Sequence, residues 1–391
     1  MRYTKAYERF FYRPLRVILS AFLRLRYGYR HDKMSLPEGG VLVAANHTAG
    51  IDPLFCAACF PQPLSFVMSE HLKRKKLLTK MMDGCFETIT RVKTRTESQT
   101  AFTMIKRLKE GGRVLIFPEG NMTYSGASGK NMPGLGRLVK ISGSSLVTVR
   151  LENTFAISPR WSKKSARGDC YGRIMRVYSP QELKTMSAAE IEDAMTRDLA
   201  FDFYEQPCGH YRNAHRAECL QSALFVCPRC KKMTQLHAKR SHLWCDCGFS
   251  VRLNDQMRFA GSNGEAPFAT IRDWYSWQQT QVPALCESVS ADAPLTSDDA
   301  VRVNGYTVSP PRTIPITRGR VALYRDRLQI DGDVGFSIAL DEITDVTTVQ
   351  RRLLCLCVNH EKFYELVGGD DFSPVKYAFL IAHLSTARSM I

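Results

Sequence analysis

The chain has 391 residues, 44% hydrophobic and 24% charged, a balance that excludes a largely disordered or fibrous protein. Its length suggests two or three folded units at roughly 150 residues each. Lys and Arg total 54 against 38 Asp and Glu, and the net charge of +16 points to a polyanionic partner, either anionic lipid or nucleic acid.

Residues 9–30 read RFFYRPLRVILSAFLRLRYGYR. At helical period Phe11, Leu15, Ile18, Phe22 and Leu25 share one stripe, while Arg13, Arg16 and Arg24 project from the other side. Pro14 suits a first helical turn, so the regular helix is expected to begin there. Such a helix can lie in the headgroup layer of a membrane or pack on the domain behind it, and the residues alone leave both readings open. No apolar run reaches the ~18 residues of a bilayer-spanning helix, and no secretory-signal pattern is visible. The expected location is the cytoplasmic face of a membrane, with peripheral attachment.

From Val41 to about Tyr178 short apolar runs alternate with helical patterns. Val41–Ala45, Leu64–Met68 and Arg113–Phe117 read as strands, and a helix carrying Phe102, Ile105 and Leu108 closes at Gly111-Gly112. A basic stretch, His71 to Lys80, follows the second strand. Residues Leu146–Leu151 and Arg173–Tyr178 extend the sheet, and a helix near 188–203 ends the unit. This rhythm predicts a layered α/β domain. Further on, Cys227–Asn254 forms a cysteine module, Trp274–Trp277 a short helix, and Cys286 to about Pro315 a linker rich in Ala, Asp, Ser and Pro. Short strands capped by one helix, Pro374 to Ala387, predict a small final β unit. The domain reading is therefore 1–30 helix, 31–215 α/β domain, 220–255 cysteine module, 256–317 short helix and linker, and 318–391 β unit.

Three segments carry the chemistry. Asn46-His47-Thr48-Ala49-Gly50-Ile51-Asp52-Pro53 leaves a buried strand and enters a helix. A histidine there can act as general base, and a carboxylate across the loop can fix its tautomer. Asp52-Pro53 is equally a good helix cap, so both readings stand at this point. Gly84 to Arg91 delivers an arginine at a strand end, whose planar fork suits phosphate. Phe117-Pro118-Glu119-Gly120 closes another strand; a turn accounts for Pro118 and Gly120 but not for Glu119.

In this order and with these intervals the three segments resemble the glycerolipid acyltransferase superfamily of lysophosphatidate and glycerol-3-phosphate acyltransferases. His47-x4-Asp52 matches its first motif, Arg91 the arginine of its second and Phe117–Gly120 its third, over roughly residues 10–205. The resemblance implies that His47, oriented by Asp52, deprotonates an acceptor hydroxyl that attacks the thioester of acyl-CoA or acyl carrier protein. It implies further that Arg91 holds the acceptor phosphate, that Glu119 and Gly120 shape the acceptor pocket, and that 1-acylglycerol-3-phosphate is the favoured acceptor. Two departures bear on the acceptor. Asn121 and Met122 stand where the family has threonine and arginine, and Thr148 stands where it has proline. Lys130, Arg137 or Lys140 could supply the missing cation.

Cys227-Pro228-Arg229-Cys230 and Cys245-Asp246-Cys247-Gly248 resemble a zinc ribbon, a closed structural site of four thiolates. An odd total of thirteen cysteines also fits metal ligation better than a disulfide framework. The one-residue gap in the second pair leaves room for His237 or His242 to replace a cysteine. Cys208, His210, His215 and Cys219 read as free thiols and surface histidines. Residues 318–391 look like a pleckstrin-homology or GRAM-type domain, with Arg318, Arg320, Arg325, Arg327, Arg351 and Arg352 available to anionic headgroups. The expected fold class is thus α/β, an acyltransferase-like layered domain followed by a zinc ribbon and a small mainly-β, PH-like domain. The expected partners are a membrane surface, a lysophospholipid acceptor and an acyl donor. No nucleic acid is expected, although a nucleic-acid-binding zinc-ribbon protein is one rival reading. A catalytically inactive lipid-binding scaffold is the other.

Overall fold

The structure, a computed structural model, describes residues 4–69, 87–91, 98–233, 236–261, 266–308 and 311–390. The basic stretch 71–80 and residues 84–86 ahead of Arg91 lie outside these. The chain divides into two compact units, Met1–Arg160 with Ser165–Arg212, and Trp161–Lys164 with Asn213–Ile391.

The first unit is built on seven strands: β1 (Tyr29–His31), β2 (Val41–Ala45), β3 (Ser65–Ser69), β4 (Thr88–Arg91), β5 (Arg113–Ile116), β6 (Ser145–Glu152) and β7 (Cys170–Tyr178), in the order β1-β7-β6-β2-β5-β3-β4. Strands β6, β2, β5, β3 and β4 run parallel, and β7 pairs antiparallel to β6. Every residue of β2 is buried, as expected of a central parallel strand covered on both faces. Leu42, Ala44, Val114, Ile116 and Leu146 form one core with residues from three helices. These are α3 (Ser98–Lys109), α4 (Leu135–Ser142) and α5 (Ala188–Leu199). Each Leu, Val or Ile among them contributes roughly 1.5–3 kcal/mol on burial. The expected helix carrying Phe102, Ile105 and Leu108 is α3. Met104 and Leu108 face the core with Ile105 beside them, while Phe102 is 70% exposed. The buried pair sits at i, i+4, and Phe102 falls outside that stripe.

Two further helices precede these. The N-terminal helix α1 (Arg13–Tyr27) follows a wide turn, Glu8–Tyr12, and has Pro14 in its first turn. The second, α2 (Asp52–Cys59), begins with Asp52-Pro53 and is buried almost throughout. Tyr12 donates to the Ala57 carbonyl at 3.2 Å and Arg16 to the Ala58 carbonyl at 2.9 Å. Those carbonyls belong to the last turn of α2, where intrahelical partners run out. Docking uses Tyr12 and Leu23, both buried, whereas Phe11, Ile18, Phe22 and Leu25 stay exposed, Leu25 at 69%. The helix therefore packs by one edge and turns its apolar stripe outward. No helix among the described residues is long and apolar enough to cross a membrane.

The second unit opens with a four-stranded antiparallel sheet, β8 (Leu236–Lys239), β9 (His242–Cys245), β10 (Ser250–Leu253) and β11 (Phe259–Gly261). Helix α6 (Ile271–Glu287) follows, with Trp274 buried and its indole N–H donated to the Val226 carbonyl at 2.9 Å. Then comes an eight-stranded sheet: β12 (Thr296–Val308), β13 (Pro311–Leu323), β14 (Arg327–Gly332), β15 (Phe336–Ala339), β16 (Ile343–Val349), β17 (Leu353–Val358), β18 (Lys362–Val367) and β19 (Arg388–Met390). Its order is β15-β14-β13-β12-β18-β17-β16-β19, and helix α7 (Pro374–Leu384) packs against it.

Here the expected short helix and linker, 256–317, are corrected. The helix has 17 residues, and β12 and β13 are paired strands of 13 residues each. The physical reason is irregular register. Shifts at Asp298/Val301 and Val303/Asn304 break the alternation that marks a strand, and Pro315 sits opposite Asn304 at the second of them. Asp298, which reads as a loop residue, accepts from Lys376 Nζ at 2.8 Å and from the Tyr377 hydroxyl at 2.7 Å, anchoring α7.

Candidate active site

His47, Arg91 and Glu119 all emerge from carboxyl ends of parallel strands, β2, β4 and β5, the edge where open α/β sheets gather ligands. Asn46 first closes the end of β2 onto β6, donating to the Leu151 carbonyl at 3.1 Å and accepting its N–H at 2.7 Å. The chain then turns, and His47 Nδ1 lies 2.9 Å from Asp52 Oδ2. That same oxygen accepts the N–H groups of Thr48 and Ala49, each at 2.8 Å. Asp52 is fully buried at the first position of α2, where the helix dipole favours negative charge. Its carboxylate thus points back into the loop instead of capping later N–H groups of its own helix, and the helix-cap reading does not describe this geometry. The His47 side chain remains 18% exposed. Its ring stacks on Phe117 at 4.1 Å between centroids.

The backbone of His47 is held as firmly as its ring. Its N–H donates to Glu119 Oε1 at 2.8 Å, and its carbonyl accepts from the Thr123 N–H at 3.1 Å. Glu119 Oε2 accepts the Gly129 N–H at 2.7 Å. Burial pushes the Glu119 carboxyl up to about 7, with the two N–H donors opposing and the Asp52 charge adding to the rise. Gly120 adopts the left-handed conformation with φ +70°, and a Cβ there would stand 2.7 Å from Arg91 Nη1. The left-handed backbone favours glycine, and a larger residue would also displace the Arg91 guanidinium. Arg91 is 8% exposed, and its guanidinium donates to the Gly120 carbonyl at 3.3 Å and lies 2.9 Å from Met132 Sδ.

The structure therefore brings His47, Asp52, Glu119, Gly120 and Arg91 into one connected cluster. Several participants carry no sequence signal. Gly129, Thr123 and Met132 are ordinary loop residues, and Thr154 meets Thr48 hydroxyl to hydroxyl at 2.6 Å. Arg160 is buried, donates to the Met122 carbonyl at 2.7 Å and lies 4.3 Å over the Tyr124 ring. It brings a guanidinium beside the position where the family motif has its own cation. Lys140, one of the expected substitutes, instead donates to the carbonyls of Lys184 and Met186. The Thr148 hydroxyl donates to Asp198 at 2.7 Å, a carboxylate of α5 that also accepts from Tyr178. That accounts for a polar residue at a buried strand position without involving the active site.

Residues 29–152 match the family model described as Acyltransferase. By that match this stretch is an acyltransferase-type domain. A probable 1-acyl-sn-glycerol-3-phosphate acyltransferase of Mycoplasma genitalium is 32% identical over 111 residues, which span 27% of this chain and 40% of that relative. Among solved structures, the 1-acyl-sn-glycerophosphate acyltransferase PlsC of Thermotoga maritima overlaps 51% of this chain and 81% of its own, at 16% identity and a TM-score of 0.42. The acyltransferase domain thus contains the whole polar cluster except Arg160 and Thr154.

In the second unit, Cys227, Cys230, Cys245 and Cys247 place all four sulfurs within 4.8 Å of one another. Cys227 and Cys247 are 3.7 Å apart at sulfur, as are Cys230 and Cys245. Tetrahedral coordination with Zn–S bonds of ~2.3 Å requires S···S edges of ~3.8 Å, so the thiols fit such an ion. The short gap of the second pair is absorbed by Gly248 at φ +86°, whose N–H closes the turn onto the Cys245 carbonyl at 3.0 Å. Neither histidine is needed. His237 pairs with Asp246 at 3.1 Å and His242 is exposed.

Proposed function

We propose that this chain is an acyltransferase that moves a fatty acyl group from a thioester donor, acyl-CoA or acyl carrier protein, to the hydroxyl of a lysophospholipid-like acceptor. The observation that carries this reading is the 2.9 Å contact between His47 Nδ1 and the buried Asp52 carboxylate. A carboxylate only accepts, so Nδ1 carries the proton and Nε2 keeps its lone pair. Nε2 takes the proton of the acceptor hydroxyl as its oxygen bonds to the thioester carbonyl carbon. The C–S bond then breaks, and the departing thiolate recovers the proton from the imidazolium. No acyl-enzyme forms. Arg91, an almost buried guanidinium at the edge of the cluster, is assigned to the acceptor phosphate, for which 1-acylglycerol-3-phosphate is the favoured source.

The attachment proposed for the enzyme is peripheral, on the cytoplasmic face of a membrane, through the outward stripe of α1 with Arg13 and Arg24 beside it. The four thiolates of the second unit are assigned to one structural zinc ion, with no open position for catalysis. His47→Ala is expected to lower transfer to 1-acylglycerol-3-phosphate by about 10²–10⁴-fold while leaving flotation with anionic liposomes intact. Unchanged transfer would remove the mechanism. Ile18→Glu with Phe22→Glu should do the reverse, abolishing flotation; retained flotation would sink the attachment.

A further inference from the structure

Glu119 occupies the place where the family resemblance puts an acceptor-binding group, yet both of its oxygens are already engaged by the protein. Oε1 takes the His47 N–H at 2.8 Å and Oε2 the Gly129 N–H at 2.7 Å. The two donors are backbone groups from separate loops, one ending β2 and one ten residues beyond Glu119 itself. The neighbouring bond from the Thr123 N–H to the His47 carbonyl at 3.1 Å means that segment 119–123 grips His47 by both of its main-chain polar groups. Phe117, two residues earlier, supplies the face on which the imidazole stacks. Asp52 fixes which ring nitrogen bears the proton, but it cannot by itself fix where the ring stands relative to a bound substrate. That requires the Cα of His47 to be held, and the only carboxylate in contact with its backbone N–H among the described residues is Glu119.

We propose that Glu119 is a positioning residue: it clamps the loop bearing the general base to the 120–134 loop, and it does not hydrogen-bond the acceptor hydroxyl. The clamp sets the height of the imidazole above the strand ends and holds the 120–134 loop closed over the same edge. Gly129 follows from the same geometry. A Cβ at 129 would lie 3.0 Å from Glu119 Oε2, so a methyl group there would shift the carboxylate oxygen by a few tenths of an ångström. Charge–dipole bonds of this kind lose strength steeply when an oxygen is displaced, which makes a single methyl group a usable probe.

This inference rests on the acyltransferase reading for its kinetic arm alone, and a second arm needs no substrate. In the kinetic arm, full-length Glu119→Gln keeps one acceptor oxygen and Glu119→Ala keeps none. Positioning predicts that kcat falls about tenfold in the first and a hundredfold or more in the second, with KM for 1-acylglycerol-3-phosphate within twofold of the parent. Gly129→Ala, which touches no substrate in either account, should lower kcat severalfold with the same unchanged KM. A tenfold rise in acceptor KM with unchanged kcat in Glu119→Gln would overturn the proposal in favour of direct acceptor binding. In the second arm, amide hydrogen exchange is followed in segments 46–52 and 120–134 of the parent and of Glu119→Ala. The clamp requires both segments to lose protection together while β6 and α5 keep theirs. Unchanged protection in either segment would overturn it, even if no acyl transfer is detected in the parent. Exchange lost throughout the unit would mark a merely structural role and would overturn it as well.

Discussion

Two turn clusters, one in each unit, gather reactive side chains and differ in what they leave open. At residues 46–52 a fully buried carboxylate takes three donors on one oxygen, yet the imidazole it orients keeps 18% of its side chain exposed. At residues 227–247 four sulfurs gather within 4.8 Å of one another, with Cys227–Cys247 and Cys230–Cys245 each 3.7 Å apart. The first arrangement engages Nδ1 of one imidazole and leaves its Nε2 outside that bond; the second turns four like ligand atoms toward one another. One imidazole oriented by one carboxylate suits proton transfer, and four like thiols suit structural metal ligation. The set of partners separates the two clusters better than exposure does, since His47, Cys230 and Cys247 are all partly exposed.

The comparison can be broken at either end. The largest effect is expected at the thiols. Metal removal by a strong chelator, or Cys230→Ser, should forfeit most of an apparent ~10–16 kcal/mol and melt strands β8–β11 first. Metal analysis and limited proteolysis check this, and a metal-free protein with an intact ribbon would contradict it. Next is Asp52→Asn, which preserves shape but offers an amide to Nδ1. The imidazole should then adopt the wrong tautomer and transfer should fall by on the order of 10⁴-fold in kcat, with zinc content unchanged. A loss below tenfold would mean that the carboxylate does not orient the base. The smallest effect is a pH dependence. With the Glu119 carboxyl held up at about 7 in the fold, against 4.5 in an unfolded chain, the folded state keeps a proton that the unfolded state has lost. The stability this group contributes is fully present below about 4.5 and is lost as the pH rises through about 7. Urea denaturation across that window should show the decline, and Glu119→Gln should flatten it; a parallel slope in both proteins would place the titration elsewhere.

How much of this was legible in the sequence depends on how local each feature is. His47 and Asp52 lie five residues apart, and the four cysteines lie within one hairpin, so spacing alone suggested each grouping. The central strands β2 and β5 are continuous apolar runs and were legible for the same reason. Where long-range pairing decides, the reading failed. Two register shifts hide β12 and the first part of β13, and the sequence around Asp298 does not show that its partners lie on α7. The helix Ser98–Lys109 is legible, but which of its apolar residues face the core, Met104 and Leu108, is set by the sheet it packs on. Glu119 was recognised as unexplained by turn geometry, but its partners are main-chain N–H groups, which leave no trace in residue identity. Arg160 reaches the Met122 carbonyl from thirty-eight positions away, and nothing in its neighbourhood announces it.

The contact of Tyr12 and Arg16 with the carbonyls of Ala57 and Ala58 has a mechanical consequence. Helix α2 is a rod of eight residues, about 12 Å long, with Asp52 at one tip and those carbonyls at the other. The two contacts tie α1 to a helix whose opposite tip carries Asp52, so the seating of the N-terminal helix and the placement of the His47 loop depend on one short element.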